Sequence, residues 1–407
     1  MLDFLKLAPL LDSIGVDSLK DLKDSEELVR SALQAFQTAA ADFPAWASML
    51  DENRPWVLWP LLKPLSPLAS RLNVPARKSS GAGWTALGVD GSQIMPSHHE
   101  VSSCYLLNAG VARITYGGEL PPLLKSEPRL YARPDDLYPL VDRRRVHIDE
   151  LFVALERGLF EFGLLVDLAE EVLALSGGAA TETGVGTVLA MVDGSLIPWS
   201  LEKMPRHYIE DYLTRLEVLM CRLRLKGIAV VGYVSHSRSA DLINALRVTI
   251  CPYALSHCQT NCGHLNEESF PCSAIWPLSH RLLYQSILKP GETSSVFESA
   301  ASVVKLMPEA DATCFAYFRN EMEVARLEFP RWVYQDSALF EFLLAGVKAQ
   351  CEKGFGYPVV LAEAHHQAVI RGPEREQFFS LIAQRLLTIG ARTAVSPKEA
   401  NKRRGFI

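Results

Sequence analysis

The tetrapeptide Val-Asp-Gly-Ser occurs twice in this chain, at Val89–Ser92 and again at Val192–Ser195. Each copy follows an apolar, β-prone run, Trp84–Val89 in the first case and Thr187–Val192 in the second. A carboxylate that ends a buried strand and precedes glycine lies where the chain leaves the sheet, and the glycine lets the backbone approach a ligand closely. If the two strands are neighbours, the repeat brings the two carboxylates together. The alternative interpretation is two Asp-Gly turns without chemistry, because Asp-Gly is a common turn signal.

Two adjacent carboxylates, here Asp90 and Asp193, do not ionise side by side unless a cation lies between them. Oxygen ligands favour Mg²⁺ or Mn²⁺ over softer metals. Active sites that cut phosphodiester bonds are built in this way, with one or two metal ions, about 4 Å apart when there are two. The repeat therefore predicts a divalent-metal site suited to hydrolysis of a phosphodiester.

The composition is that of an ordinary soluble globular protein, since 48% of the 407 residues are hydrophobic and 22% are charged. This length predicts two or three structural units. No apolar run approaches the roughly 18 residues that span a bilayer. Residues 1–11 carry Asp3 and Lys6 and lack a small-residue cleavage site, so we expect a cytoplasmic protein without a membrane segment. The net charge of −6 argues against a surface coated in positive charge for duplex binding, yet allows a local basic channel.

The pattern along the chain predicts a helical N-terminal extension at residues 1–80, a main domain at residues 84–395 and a basic C-terminal tail at residues 396–407. Within the main domain, residues 251–295 are expected to form an irregular insertion that contains cysteines.

The main domain alternates β-prone runs with helical periodicity. The predicted strands are Trp84–Val89, Ser103–Asn108, Val111–Tyr116, Thr187–Val192 and Gly227–Val234, followed by a hairpin of Thr313–Phe318 and Glu323–Phe329. The predicted helices are Val146–Leu175, Arg206–Leu225, Ser337–Glu352 and Pro373–Gly390, and the proline-rich segment Pro121–Asp142 is expected to be a loop. Three strands, a helix, a strand, a helix and a strand predict an α/β fold with a mixed sheet flanked by helices. By analogy, this is also the order of the ribonuclease H-like fold.

A third carboxylate is expected from the long helix between the two copies of the repeat. Five glutamates are available there: Glu150, Glu156, Glu161, Glu170 and Glu171. Glu161 has apolar neighbours, which favours an inward position, and an inward ionised glutamate without a partner is costly unless it binds metal. Glu156 is the second choice, and the alternative is that all five lie on the solvated face of the helix.

The C-terminal segment supplies a fourth candidate. The apolar run Val359–Ala362 is predicted to be a strand, and His365 follows it. A histidine in this place can bind metal, activate water or assist the leaving oxygen, although a lone histidine after a strand is more often structural. Tyr357, just upstream, is a candidate for contact with a phosphate or a base.

These segments, in this order, resemble the NurA nuclease family. The resemblance rests on Val89–Ser92, Val192–Leu196, Gly232–Ser239, Tyr357-Pro358 and Ala364-His365, and it covers roughly Trp84 to Arg392. It implies a ribonuclease H-like fold and Mn²⁺-dependent or Mg²⁺-dependent DNA nuclease activity, as a 5′-3′ exonuclease and an endonuclease that process DNA ends in double-strand break repair. It also implies a homodimer and a partner, the hexameric ATPase translocase HerA.

Residue by residue, the resemblance implies a set of metal-binding and catalytic residues: Asp90, Asp193, Glu161 and His365. It also implies substrate contacts from Ser92, Tyr357, His236 and Arg238. The chain departs from the family at two places, since many members have a lysine where this chain has Ser235-His236, and an acidic residue where His280 stands. The missing lysine and the negative net charge favour a second hypothesis, a catalytically weak adaptor subunit of a DNA translocase complex.

Four of the eight cysteines are clustered in the sequence, namely Cys251, Cys258, Cys262 and Cys272. A cytosolic protein rarely keeps disulfides, so a group of thiols indicates a metal, either a structural Zn²⁺ or an iron–sulfur cluster. The spacing lacks the paired Cys-x2-Cys of a zinc ribbon, and the alternative is reduced or partly disulfide-linked cysteines. Cys104, Cys221, Cys314 and Cys351 lie in apolar stretches and are predicted to be small core residues.

Overall fold

The structure is a computed structural model that describes residues 4–75, 83–96, 104–141, 144–175 and 187–390. The described residues fall into two compact units. The first unit lies within Met1–Val74, Val234–Val304 and Ala312–Glu328, and the second within Pro75–Tyr233, Lys305–Asp311 and Phe329–Ile407. In the described part of the chain, no helix is long and apolar enough to cross a membrane.

The strands are, in chain order, β1 (Lys63–Pro64), β2 (Leu72–Asn73), β3 (Trp84–Ile94), β4 (Tyr105–Tyr116), β5 (Leu123–Tyr131), β6 (Leu140–Val141), β7 (Arg144–Arg145), β8 (Val188–Asp193), β9 (Ala229–Val234), β10 (Glu292–Thr293), β11 (Phe297–Glu298), β12 (Thr313–Arg319) and β13 (Val324–Pro330). The helices are α1 (Phe4–Ala41), α2 (Phe43–Asn53), α3 (Pro134–Leu137), α4 (Glu150–Leu175), α5 (Arg206–Leu225), α6 (Asp241–Thr249), α7 (Cys258–Asn261), α8 (His280–Ile287), α9 (Arg331–Gln335), α10 (Ser337–Lys353), α11 (Val359–Ala368) and α12 (Gly372–Thr388). Short 3-10 turns lie at Trp199–Lys203, Glu267–Ser269, Ser273–Ile275, Val304–Leu306 and Glu309–Asp311.

The first unit has its own hydrophobic core. Its strands follow the order β1-β11-β12-β13, and β10 pairs with both β12 and β2. Helices α1 and α2 bury Phe36, Trp46 and Leu50 in one cluster with side chains of α6, α8 and the strands, Tyr284 and Phe315 among them. The apolar faces of α2 and of the part of α1 from Leu28 onward are therefore covered by this sheet and its helices.

The observed division of the chain differs from the predicted one. Residues 1–74 share a unit with residues 234–304 and 312–328, whereas the sequence suggests an extension at residues 1–80 that stands apart. The core that unites these segments is formed by residues far apart in sequence, so a local pattern does not reveal it. The predicted insertion at residues 251–295 lies in the same unit, and the predicted tail at residues 396–407 lies outside the described residues.

The second unit contains the mixed sheet that the sequence predicts. Its order is β5-β4-β3-β8-β9. Strand β4 is antiparallel to both of its neighbours, while β3, β8 and β9 are parallel to one another. Helix α4 connects β7 to β8 along the chain, and α5 connects β8 to β9, as parallel neighbours require. The predicted α/β class, a mixed sheet flanked by helices, is confirmed.

Two predictions within this sheet are wrong. The runs Ser103–Asn108 and Val111–Tyr116 form one strand, β4, because its pairing with β3 continues without a break through Ala109 and Gly110. The segment Pro121–Asp142 contains strand β5, which pairs with β4 as far as Tyr105 opposite Tyr131. Its Pro128 is tolerated because β5 ends the order of this sheet, where a missing amide costs little.

Helices α4 and α11 cover opposite faces of β3. Side chains alternate between the faces of a strand. A Cβ atom at Gly88 would meet the backbone of Val360 in α11, whereas one at Gly91, three residues later, would meet Glu161 in α4. The strand is therefore enclosed where the first copy of the repeat lies. The helices predicted near the C-terminus are confirmed as α10 and α12. Three of the predicted small core cysteines are buried, namely Cys104, Cys314 and Cys351, whereas Cys221 is half-buried.

Candidate functional site

The two copies of the repeat lie side by side in the sheet of the second unit. In the parallel pair of β3 and β8, Val89 is the register partner of Val192. The next residues, Asp90 and Asp193, therefore occupy equivalent positions on neighbouring strands. Asp193 is the last residue of β8, as predicted, but Asp90 lies inside β3, where it pairs with Gly110 of β4. The expectation that Asp90 ends its strand is wrong, because the antiparallel pairing with β4 continues to Ile94.

The two glycines of the repeat have different tasks. Gly194 has a φ of +105°, a conformation that L side chains rarely adopt, and it turns the chain out of the sheet after Asp193. Gly91 stays in the strand, and its lack of a side chain makes room for Glu161. A Cβ atom at Gly91 would lie 1.9 Å from Glu161 Oε1. The first glycine thus provides space and the second provides a turn.

Glu161 is the helix glutamate that points inward from α4. Its carboxylate is nearly buried, and burial raises its pKa to about 7; the Arg157 guanidinium lowers it, while the charges of Asp90 and Asp193 raise it. Arg157 Nε lies 3.0 Å from Glu161 Oε1, but this oxygen has no hydrogen-bond partner among the described residues. A buried carboxylate with an unsatisfied oxygen is costly.

The other glutamates of α4 have partners elsewhere. Glu156, the second choice, accepts hydrogen bonds from Tyr208 Oη and from both terminal nitrogens of Arg215. Glu170 pairs with Arg222, and the Glu171 side chain is more than half exposed and lies 3.4 Å from Arg113. Glu150 is exposed at the start of the helix. The structure therefore brings Glu161, and none of these four described residues, to the aspartates.

His365 reaches the same place from helix α11. Its Nδ1 lies 2.7 Å from Asp90 Oδ2, and 57% of its side chain is exposed. The predicted strand at Val359–Ala362 is wrong, because Pro358 caps the start of a helix that runs through this apolar segment. His365 is thus presented from a helix turn rather than from a strand end.

Glycines allow α11 to lie directly on the sheet. A Cβ atom at Gly88 would be 2.5 Å from the carbonyl oxygen of Val360, and one at Gly110 would be 2.0 Å from that of Ala364. Because these contacts involve backbone atoms, the helix would have to move if either glycine carried a side chain. Gly110 is the register partner of Asp90. The close contact of Gly110 with Ala364 therefore brings the neighbouring His365 near Asp90.

Ser92, predicted to contact substrate, holds the end of α11, and its contact with substrate stays a prediction. Its hydroxyl donates a hydrogen bond to the carbonyl oxygen of Ala368, and Asn108 Nδ2 donates a second one over 2.8 Å. Ser92 and Asn108 are register partners in β3 and β4. The two side chains therefore anchor the helix at the end opposite Pro358.

Tyr357 lies beside Asp193. Its hydroxyl forms a hydrogen bond with the Asp193 carboxylate, and its ring packs edge-on against Tyr233 at 5.4 Å. Although the Asp193 residue reaches solvent, the protein around its carboxylate raises its pKa by desolvation. The Asp90 charge raises that pKa further, while Tyr357 and His365 lower it. Tyr357 therefore supports the ionised form of Asp193.

His236 and Arg238, the other predicted substrate contacts, belong to the first unit. Glu323 Oε2 accepts hydrogen bonds from the Ser235 hydroxyl over 2.7 Å and from the His236 amide over 3.2 Å. His236 has a φ of +48°, and Arg238 is exposed. Glu323 thus holds the loop in which the family often has a lysine.

His280, the second departure from the family, is fully buried in the first unit. Its Nε2 accepts hydrogen bonds from the amides of Leu242 and Ile243 at the start of α6, and its Nδ1 contacts the Tyr317 hydroxyl. Helix starts are commonly satisfied by acidic or other oxygen acceptors. His280 therefore performs locally the task that a carboxylate can perform.

The clustered cysteines also lie in the first unit. Cys258, Cys262 and Cys272 are buried and Cys251 is half-buried. Burial raises the pKa of Cys258 and of Cys262, and the neighbouring thiols raise both further. In the described residues, no group of three or more His, Cys, Asp or Glu side chains is arranged to hold a metal ion. The zinc or iron–sulfur site at these cysteines stays a prediction.

Among the described residues, the candidate carboxylates likewise form no group of three or more side chains arranged to hold a metal ion. Their positions around strand β3 are consistent with this. Asp90 faces α11, where His365 engages it, whereas Glu161 reaches Gly91 from the α4 side. The donor set nevertheless suits a hard divalent cation, since it combines three carboxylates with one imidazole. A cation would satisfy Glu161 Oε1 and relieve the crowding of charge that raises two pKa values here. The chemistry of these donors fits such an ion.

Several residues that hold the candidate site residues in place were not expected from the sequence. Gly88 and Gly110 bring α11 close, Asn108 anchors it, and Arg157 lies one helix turn before Glu161. Glycines inside strands are a usable signal, because they often mark close approach of another backbone.

Comparison with known proteins identifies one family. The family model described as NurA domain matches residues 85–370. Among solved structures, the crystal structure of the NurA nuclease from Sulfolobus solfataricus is similar over 75% of this chain and 85% of that chain, with 13% sequence identity and a TM-score of 0.41. No curated protein matches the chain.

Proposed function

The chain belongs to the NurA family of nucleases, and from this premise we propose that it is a divalent-metal-dependent DNA nuclease with its active site at Asp90, Glu161, Asp193 and His365. One observation carries the proposal. The two copies of Val-Asp-Gly-Ser are in register on neighbouring parallel strands, and the nearly buried Glu161 carboxylate lies against the glycine of the first copy. Strands β3 and β8 thus carry the two aspartates, α4 carries Glu161 and α11 carries His365.

The carboxylates of Asp90, Glu161 and Asp193 would hold the metal, with His365 as a further donor or a proton carrier. A bound Mn²⁺ or Mg²⁺ would supply Lewis acidity at the phosphate and a more acidic water. The protein residues keep the carboxylates in place: β3 and β8 hold the aspartates in register, and α4 presents Glu161 from a nearly buried position.

His365 and Asp90 form a pair with complementary tasks. Asp90 Oδ2 engages Nδ1, which fixes the imidazole ring and favours a proton on that nitrogen. The opposite nitrogen, Nε2, would then accept a proton from an incoming water or return it to the departing oxygen. Tyr357 holds the Asp193 carboxylate by its hydroxyl.

Family membership supports the finer features of the proposal. These are a preference for Mn²⁺, 5′-3′ exonuclease and endonuclease activity, a homodimer, and work with a HerA-type hexameric ATPase translocase on DNA ends in double-strand break repair. Each belongs to the proposal and rests on the family match.

The test is cleavage of end-labelled single-stranded and duplex DNA in EDTA, Mg²⁺ or Mn²⁺. We expect the wild type to cut only with metal, and Asp90→Asn and Asp193→Asn to lose cutting while they remain folded. Asp211→Asn is the matched control, because its side chain is 64% exposed on α5. Absence of metal-dependent cutting by the wild type, also with a candidate motor present, would favour the adaptor subunit instead.

A further inference from the structure

Phe355 combines two unfavourable features at one position. Its φ is +54°, in the left-handed region that bulky residues rarely adopt. Its side chain is 93% exposed, so packing within the chain does not compensate for the backbone strain. A glycine at this position would adopt the same conformation without strain, as Gly356 does at a φ of +105°. A glycine would therefore suit the fold better than phenylalanine at this position.

The turn that carries Phe355 is held from both sides. The amides of Gly354 and Gly356 donate hydrogen bonds to the carbonyl oxygens of Gln350 and Cys351 at the end of α10, over 3.0 and 2.8 Å. The Tyr233 hydroxyl also lies 3.5 Å from the carbonyl oxygen of Gly356. A ring on such a turn is presented to solvent in a defined direction rather than on a long loop.

This turn borders the candidate active site. Phe355 precedes Tyr357 by two residues, and the Tyr357 hydroxyl binds the Asp193 carboxylate. Two residues of extended chain span at most about 7 Å, so the backbone of Phe355 lies close to that of Tyr357. A DNA strand whose phosphate lies at the carboxylates would therefore bring a base within reach of the ring.

We propose that Phe355 is a stacking platform for a nucleobase near the cleaved bond. The inference rests on the proposed nuclease function and specifies its substrate. Exposed aromatic rings bind bases through their flat faces without regard to sequence. Because an internal base of duplex DNA is already stacked on both faces, a base that stacks on Phe355 lies in a single strand or at the end of a duplex. The substrate at this site is therefore a single strand or a duplex end.

The test combines a protein variant with a DNA variant. The proteins are wild type, Phe355→Ala and Phe355→Trp, with Leu225→Ala as the control for loss of an exposed apolar side chain, since Leu225 is 80% exposed. The DNA is a set of single-stranded oligonucleotides in which one abasic residue is moved along the strand. Cleavage efficiency is measured as kcat/KM in Mn²⁺, and thermal unfolding confirms that each variant is folded.

We expect Phe355→Ala to lower kcat/KM roughly 5- to 150-fold, the loss that corresponds to one aromatic–base stack. An abasic residue at one position should cause the same loss in the wild type and no further loss in Phe355→Ala. Phe355→Trp should retain activity, and Leu225→Ala should be unchanged. Independent, multiplicative losses from the two changes would overturn the stacking, as would an unchanged Phe355→Ala enzyme.

A second measurement separates this inference from the nuclease proposal. Oligonucleotides with 2-aminopurine at successive positions are titrated with wild type and Phe355→Ala in EDTA, so that nothing is cut. Quenching at one position by the wild type alone supports the stack, and equal signals from both proteins refute it. If the wild type cleaves no DNA in any metal, the nuclease proposal fails, while this titration still decides the stack. Loss of a dimer in Phe355→Ala, measured by sedimentation without a change in quenching, would assign the ring to contact with a second copy instead.

Discussion

Val89 of β3 and Val192 of β8 are register partners in a parallel pair of strands, so a sequence repeat has become a spatial repeat. Each valine is followed by Asp-Gly-Ser, and each aspartate has a different side chain as its hydrogen-bond partner. Asp90 meets His365, whereas Asp193 meets Tyr357. The two Val-Asp pairs thus hold equivalent places in the sheet, but their carboxylates have different hydrogen-bond partners.

The close approach of the Glu161 carboxylate to Gly91 allows a direct test of the proposed role of Glu161 in cleavage. Gly91→Ala would place a methyl group 1.9 Å from the present position of Glu161 Oε1, so we expect the carboxylate to be displaced and cleavage to be lost. The cost in folding should be about 1 kcal/mol, because the displaced atom ends a flexible side chain. Gly163→Ala in α4 is the control, since its Cβ meets nothing within 4 Å; it should gain up to about 1 kcal/mol and keep full activity. A fully active Gly91→Ala enzyme would contradict the role of Glu161.

The neighbouring histidines of α11 form a matched pair. His365 contacts Asp90 at 2.7 Å, whereas His366 is 68% exposed and lies 3.9 Å from Glu363. We expect His365→Ala to lower the single-turnover cleavage rate by roughly 10²- to 10⁴-fold, the usual contribution of a proton-transfer group. His366→Ala should change it little. Both variants should unfold within about 0.5 kcal/mol of the wild type, because both side chains are largely exposed; equal cleavage rates in the two variants would refute the assignment.

Glu161 should make the metal-free protein less stable as the pH rises. Its pKa is about 7 in the folded protein against 4.5 for an ordinary glutamate, so the folded state binds this proton more tightly. Stability from this group is complete below pH 4.5 and falls as the pH rises to 7, by up to about 3 kcal/mol. In EDTA, Glu161→Gln should remove that slope in the free energy of unfolding, and Glu150→Gln on the exposed start of α4 should retain it. An unchanged slope in Glu161→Gln would show that the carboxylate is not held as the structure indicates.

His280 should make the protein less stable as the pH falls, which is the opposite of the effect of Glu161. Burial lowers its pKa to about 4 from 6.5, so the unfolded chain takes up a proton that the folded protein does not accept. Stability from this group is complete above pH 6.5 and falls as the pH drops to 4, again by up to about 3 kcal/mol. His280→Asn should flatten the acid side of the stability curve, whereas His264→Asn, at an exposed position of the same unit, should not. Because the slopes of His280 and Glu161 oppose each other, the single variants are needed to separate them.

Much of the site could be predicted because its chemistry is local. The Asp-Gly pairs follow apolar runs, and Glu161 lies among apolar neighbours, so their positions on a strand and on the inner face of a helix are visible in the sequence. The segment after Pro358 was predicted as a strand because a short apolar run of four residues is ambiguous between strand and helix. In the structure this segment is a helix that packs closely against Gly88 and Gly110, and that contact involves residues far apart in the chain.

The division into two units also depends on contacts between residues far apart in the chain. The buried apolar residues of α2 and of α1 from Leu28 onward share one cluster with residues beyond position 240, and no local pattern connects those two parts of the sequence. The continuation of β3 past Asp90 likewise depends on β4, since each residue from Asp90 to Ile94 has a partner there. Predictions were correct where a residue's neighbours in sequence determine its surroundings, and wrong where a distant segment does.

Asp90 and His365 are separated by 275 positions in the chain, and this separation has a consequence during synthesis. The strands that carry both aspartates are complete long before α11 leaves the ribosome. A growing chain therefore holds its carboxylates without the helix that covers β3 and supplies the histidine. Under the proposed assignment of His365, cleavage requires α11, so an interrupted chain that ends before Pro358 carries both aspartates but should leave DNA intact.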